Sequence, residues 1–211
     1  QVTVRPARQA PFKNPGILLI SHVLNELSEK QLEELVQLAA RAESVIWVEP
    51  GTFEASRTLI SIREKLQSHL QVIAPCTHQG TCGLTAKGKE PHWCHHFTPP
   101  PARVHQDPHW SRFVSELNID LGTLPYSFLA MDKQASPPLD KGVRVIGHPR
   151  QYKGYCRLLC CREQGVSDCS LSARPDKQLF KDVKKEKVFP LFQMEVENER
   201  ITWIQPVDES R

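Results

Sequence analysis

Gly16-Ile17-Leu18-Leu19-Ile20, preceded by Asn14-Pro15, is a continuous apolar run that begins at a turn signal. Such a run predicts a parallel strand covered on both faces. Ser28 and Gln31 then have capping-box spacing, and Leu32, Leu35, Val36 and Ala39 recur at helical intervals, so a helix with one buried face follows. Ser44-Val45-Ile46-Trp47-Val48 reads as a second strand, ending in Glu49-Pro50-Gly51-Thr52. Ala55, Leu59, Ile62 and Leu66 mark a second one-sided helix, and Leu70-Gln71-Val72-Ile73-Ala74 a third strand. Strand, helix, strand, helix, strand is the pattern of a parallel α/β sheet with right-handed crossovers.

Beyond this stretch the pattern changes twice. From Pro75 to about Pro108 periodicity disappears and Cys, His, Gly and Pro dominate, with Pro99-Pro100-Pro101 as a stiff extended piece. After it, Tyr126 to Met131, Val143 to Ile146, Tyr155 to Cys161, Val166 to Leu171 and Arg200 to Ile204 read as short strands, with a basic stretch from Lys181 to Lys187. Three parts are expected: α/β over 1–75, a Cys/His-rich metal-binding loop over 76–108, and a β-rich part over 109–211 packed with that loop.

The 211 residues are 39% hydrophobic and 24% charged, which excludes a disordered chain and suits a folded core. A chain of this size buries about 70% of its unfolded surface and needs no disulfides to fold. Its seven cysteines therefore call for another explanation. The net charge of +3 permits a nucleic-acid partner without requiring one. No apolar run reaches membrane-spanning length and no cleavable leader is visible, so no membrane partner is expected and the chain reads as intracellular. It begins with Gln1 rather than Met and reads as part of a longer protein.

Cys76, Cys82 and Cys94 fall within nineteen residues of the irregular loop, in Pro75-Cys76-Thr77-His78-Gln79-Gly80-Thr81-Cys82 and His92-Trp93-Cys94-His95-His96. Thiolates gathered in a loop with little apolar content are expected where metal bonds supply the ordering energy. Three ligands imply a fourth. A nearby His78, His92, His95 or His96 would make a zinc site, whereas Cys156, Cys160, Cys161 or Cys169 would make a four-cysteine zinc site or an iron–sulfur cluster. The spacing matches neither a zinc ribbon nor a ferredoxin run and does not choose the metal. The competing reading is that the cysteines are ordinary buried thiols.

The segments Ile20-Ser21-His22-Val23-Leu24-Asn25-Glu26-Leu27, Val48-Glu49-Pro50-Gly51-Thr52, Ala74-Pro75-Cys76-Thr77-His78 with Cys82, Trp93-Cys94-His95 and Arg157-Leu158-Leu159-Cys160-Cys161-Arg162-Glu163-Gln164-Gly165 together resemble the mitochondrial small-ribosomal-subunit, methyltransferase-like family and its bacterial relatives. Lys177 to Lys184 resembles the basic helix that follows in that family. The resemblance implies the C-terminal half of a class I methyltransferase-type Rossmann sheet, bearing a [4Fe–4S] cluster on four cysteines. It implies action on the small ribosomal subunit through ribosomal RNA rather than DNA, in the bacterial cytoplasm or the mitochondrial matrix. Carried over residue by residue, it assigns Cys76, Cys82 and Cys94 to the loop positions, and Cys161, followed by three residues and then Gly165, to the fourth. Neighbours in a strand point to opposite faces, so Cys160 and Cys161 are not expected to share one site.

One departure concerns the cofactor. The ten glycines never form the Gly-rich loop that cradles a nucleotide-like cofactor, and S-adenosylmethionine is expected only with a preceding half. Asn25, Glu26 and Glu49 sit where α/β sheets bind ligands, but they also suit a helix start and a strand-ending turn with Thr52 as N-cap. No nucleophile or base stands out, so catalysis by this chain alone is not expected. Three functions remain: an iron–sulfur protein of ribosome assembly or translation presenting Lys87, Lys89, Arg103, Arg144, Arg150 and Lys153 to phosphates, an active RNA methyltransferase, and a zinc-stabilised binding module.

Overall fold

The computed structural model describes residues 16–117, 123–134, 142–186 and 190–207. Its first sheet contains β1 (Ile17–Ser21), β2 (Ser44–Pro50), β3 (Gln71–Ala74), β4 (His96–Thr98) and β5 (Leu124–Asp132), in the order β1-β2-β5-β3 with β4 also on β5. β1 and β2 pair in parallel, and β5 runs antiparallel to both β2 and β3, so the first three strands share one direction. The expected parallel unit is therefore present, but its second and third strands are separated by β5. That strand comes from the expected β-rich part 109–211, yet it lies inside the first sheet.

Helices α1 (Glu29–Arg41) and α2 (Phe53–Leu66) make the crossovers. Ser28 caps α1 through a complete capping box with Gln31, and Thr52 caps α2 by accepting from the Ala55 amide at 3.2 Å. Their inner stripes, including Val36, Ala39, Leu59, Ile62 and Leu66, bury Ile20, Val45, Trp47, Val72, Leu129 and Met131 of the sheet. The opposite face is different. Ile17 is 74% and Leu19 69% exposed, and Ile46 and Ile73 also face outward, so among the described residues the strand expected to be covered on both sides is covered on one. An apolar run alone does not distinguish a doubly covered strand from one whose second face is open.

The second sheet is a closed barrel of β6 (Gly142–Tyr152), β7 (Tyr155–Arg162), β8 (Gly165–Ser172), β9 (Leu191–Glu197) and β10 (Arg200–Pro206). Its interior holds Val143, Val145, Cys156, Leu158, Cys160, Cys169, Leu171, Phe192, Ile201 and Ile204. Leu179 and Val183 of α5 (Lys177–Lys184) plug it, and Asp176 caps that helix by accepting from the Leu179 amide at 2.8 Å. Two short helices, α3 (Ala102–Gln106) and α4 (Pro108–Leu117), lie between β4 and β5 in sequence. No helix among the described residues is long and apolar enough to cross a membrane.

Candidate metal centre

The irregular segment from Pro75 to His95 is wedged between α2, β5 and the β7–β8 end of the barrel. Cys76 follows β3 directly, Cys82 precedes a single helical turn at Gly83–Thr85, Cys94 leads into β4, and Cys161 sits on β7. A small cavity of about 30 Å³ is lined by Cys76, Cys82 and Cys94 together with Ser56, Ile60 and Arg63. Cys161 joins from the barrel, where it packs in one buried cluster with Cys82, Ile60, Leu84, Ile146 and Val166, against which Cys94 also rests. Three cysteines of one loop and a fourth from a strand far along the chain thus come near one another.

Two arginines of α2 hold the loop there. Arg63 is buried, and its guanidinium donates to the carbonyls of Gly80 at 2.7 Å and His78 at 3.3 Å, as well as to Glu64 and Gln67. Glu64 in turn accepts from the Cys82 amide at 3.0 Å. Arg57, one turn and a half earlier, donates to the carbonyls of Leu84 at 2.8 Å, Lys89 at 2.9 Å and His92 at 2.6 Å. An irregular loop has no ladder of its own to satisfy its carbonyls, and these planar donors supply partners for several at once.

Cys94 is pinned on both sides: its amide donates to the buried Ser56 hydroxyl at 2.8 Å, and its carbonyl accepts from Ser127 at 2.7 Å. The Trp93 indole donates to the Gly51 carbonyl at 2.9 Å, while Arg144 donates to the Pro75 carbonyl at 3.1 Å. Gly83 permits a close approach to the barrel, because a Cβ there would stand 2.7 Å from the Val166 nitrogen and 2.8 Å from the Gly165 Cα.

Electrostatics at this place is dominated by burial. Desolvation pushes the thiols of Cys76 and Cys82 up, raises Cys94 well above the ordinary range and holds Cys161 at about 12. For Cys94 and Cys161 the neighbouring cysteines add to the rise, since several thiolates in one cavity repel one another. Arg63 and Arg144 pull the other way on Cys76. Burial thus favours the neutral thiol at all four. As anions they require a compensating cation, and metal binding would release their protons. Among the described residues, no group of three or more His, Cys, Asp or Glu is drawn together as a ready site for a single ion.

Cys160 points the other way, into the barrel interior with Cys156 and Cys169, and its sulfur lies 4.0 Å from that of Met194. Of the four histidines considered, His96 is buried with Nε2 3.6 Å from the Cys94 sulfur, and desolvation, then Arg144 and His95, lowers its pKa to about 3. His78 is buried with neither ring nitrogen hydrogen-bonded among the described residues. His95 stacks on Trp93, and its ring takes the space that a Cβ on Gly147 would need, at 2.9 Å from Nε2. His92 offers its carbonyl to Arg57.

The residues at the strand ends of the first sheet have structural partners. Glu49 is buried and accepts from the Trp47 indole at 2.8 Å and the Val23 amide at 3.2 Å, while Asn25 and Glu26 form an exposed helical turn. Arg144, expected at the surface, is buried against Pro75; Lys153 is exposed, and Arg150 pairs with Asp168. Arg57, Arg63, Ser56 and Ser127 were not singled out from sequence. The first three lie with Ile60 on the loop-facing side of α2, but which carbonyls they meet depends on the folded loop.

The protein is thus a mixed α/β chain in which a sheet is joined to a five-stranded barrel, with a cysteine-bearing loop after the third strand. The chain matches the family model described as mitochondrial small ribosomal subunit Rsm22 over residues 1–188, and it belongs to that family. Comparison with curated proteins gives no match.

Proposed function

We propose that the chain is a methyltransferase-like protein of the small ribosomal subunit that works in assembly or translation through ribosomal RNA, and that Cys76, Cys82, Cys94 and Cys161 hold a [4Fe–4S] cluster. The convergence of these four thiols carries the reading. The donor set fits the group: four sulfurs suit iron–sulfur chemistry, Cys82 and Cys161 are buried and Cys76 and Cys94 half-buried, and Arg63 and Arg144 offset part of the negative charge of a thiolate-bound cluster. When bound, the cluster supplies covalent cross-links between loop and barrel. Arg57 and Arg63 then fix the loop's backbone, Ser56 and Ser127 fix Cys94, and Arg144 fixes Pro75 beside Cys76. Family membership supports the ribosomal partner and is in keeping with a mitochondrial matrix or bacterial cytoplasm.

The test is anaerobic purification followed by a visible spectrum and analysis for iron, sulfide and zinc. A broad band near about 400 nm with stoichiometric iron and sulfide is expected of a thiolate-bound cluster. Colourless protein with one zinc per chain would overturn the cofactor assignment. A zinc-stabilised module is the second reading, favoured by His96 beside Cys94 and by the unpartnered ring of His78.

The sheet supports a further reading, in which a preceding segment completes a methyltransferase-type sheet able to bind S-adenosylmethionine. Among the described residues β1 pairs with β2 alone, and the outer face of β1 is bare. Calorimetric titration of S-adenosylmethionine into a longer chain tests it, and absence of binding there would remove the methyl-transfer reading.

A further inference from the structure

We infer that the outer surface of the barrel, across β6, β7, β8 and β10, binds single-stranded RNA, with Tyr152 and Tyr155 stacking on its bases. The inference rests on the ribosomal-RNA part of the proposed function and is independent of the cluster. It begins with strand order. Around the barrel the strands run β6, β7, β8, β10, β9 and back to β6, with β8 and β10 as the parallel pair and α5 between β8 and β9. This is the Greek-key arrangement of oligonucleotide-binding barrels, which take their ligand on the second and third strands and on the connections between first and second and between fourth and fifth. The corresponding parts here are β7, β8, the turn at 153–154 and the turn at 198–199.

Those parts carry suitable chemistry. Tyr152 and Tyr155 pair directly across the β6–β7 turn, their rings within 6° of parallel and their centroids 4.9 Å apart. Both are open to solvent, at 45% and 38% exposure. Flat exposed rings are the platform on which unpaired bases stack, and they serve any base because every base has a π-face. Next to them, the register aligns Arg150 with Arg157, Arg157 with Ser170 and Ser170 with Arg200, so one row crossing four strands holds three guanidinium groups. Strand alternation puts this row on the same face as the tyrosines, since Arg150 is two residues from Tyr152 and Arg157 two from Tyr155. Lys153, in the turn, adds another exposed cation.

The acidic neighbours are Asp168 on Arg150, Glu199 on Arg157 at 3.0 Å and Glu197 opposite Arg200. A carboxylate occupies part of a guanidinium fork and fixes its plane, leaving other N–H groups for phosphate. The Arg157 side chain is one-third exposed, while its Nε is buried with no hydrogen-bond partner among the described residues, so a phosphate would meet the outer nitrogens of the fork. Cations beside stacked rings match a strand whose phosphates alternate with splayed bases. A duplex keeps its bases stacked on one another and has no use for the tyrosines.

The experiment is fluorescence anisotropy of the full chain with a labelled twelve-nucleotide single-stranded RNA, in parallel with DNA of the same sequence and with the RNA duplex. Wild type should prefer the single-stranded RNA. The double variant Tyr152→Ala/Tyr155→Ala should bind at least about tenfold more weakly, from base–aromatic stacking at two positions, whereas Tyr152→Phe/Tyr155→Phe should stay close to wild type. Arg157→Ala should lower the slope of log affinity against log salt by about 0.7, the value for one phosphate contact on a single strand. Unchanged affinity in the alanine double variant, with an unaltered circular dichroism spectrum, would overturn this surface and leave ribosomal RNA association standing. Failure of wild type to bind RNA would overturn both, and tighter binding to duplex or DNA would overturn the ligand assigned here.

Discussion

Replacing Arg63 by Met keeps most of the aliphatic stem on α2 and removes the guanidinium that holds the loop. The carbonyls of His78 and Gly80 then lose a charged donor. Each such bond contributes about 1.5 kcal/mol at the low end of the range for charged groups, so the two together stabilise the closed loop by about 3 kcal/mol. The ion pair with Glu64 adds little, because that carboxylate is one-third exposed and screened by water. At 1.4 kcal/mol per factor of ten, opening of the loop should become about a hundredfold more frequent. Hydrogen exchange read by mass spectrometry reports this directly: amides around residues 76–85 should lose protection by that factor, while those in the barrel core around Leu158 and Leu171 should not change. Unchanged exchange in the loop would refute the reasoning and show that the arginine does not hold it.

Three other outcomes are expected. Cys161→Ser should abolish metal or cluster binding while Cys169→Ser, inside the barrel, should leave it intact; the reverse pattern in iron and zinc analysis would identify the wrong thiol as ligand. Glu49→Ala should strand the Trp47 indole and the Val23 amide without an acceptor at a cost of about 3 kcal/mol, seen as a fall in Tm of about 6–12 °C. A Tm within 2 °C, about 0.5–1 kcal/mol, would show the two donors satisfied otherwise. Gly83→Ala should push the loop away from the barrel hairpin, because the added methyl meets backbone rather than a flexible side chain. Faster proteolysis within residues 76–95 checks this, and wild-type cleavage kinetics would count against it.

Legibility in the sequence followed the range of the interactions involved. α1 and α2 are readable because their apolar positions repeat within the helix and their caps lie a few residues away, as Ser28 with Gln31 and Thr52 with Ala55 show. The place of β5 is not readable in this way: Leu129 lies opposite Trp47 only after residues far apart in the chain meet. β9 had a local signal that passed unread, the alternation Phe192-Gln193-Met194-Glu195-Val196-Glu197, whose apolar positions face the barrel interior. α4 likewise carries Trp110, Phe113 and Val114 at helical spacing. In the cysteine site, strand alternation separates Cys161 from Cys160, a distinction local geometry does allow. The arginine clamps do not show in the sequence, because a guanidinium's partners there are backbone carbonyls, which every residue possesses.

The bare side of the first sheet bears on how the molecule behaves in bulk. Ile17-Leu18-Leu19-Ile20 forms a strand with no charged residue or proline within it, an unpaired hydrogen-bonding edge among the described residues, and two large side chains turned to water. Proteins ordinarily guard such edges with lysine, proline or a bulge, because an unguarded one pairs with any strand it meets. Shielding this strand, by a covering segment or by Leu19→Lys, should therefore raise the concentration at which the protein stays monodisperse.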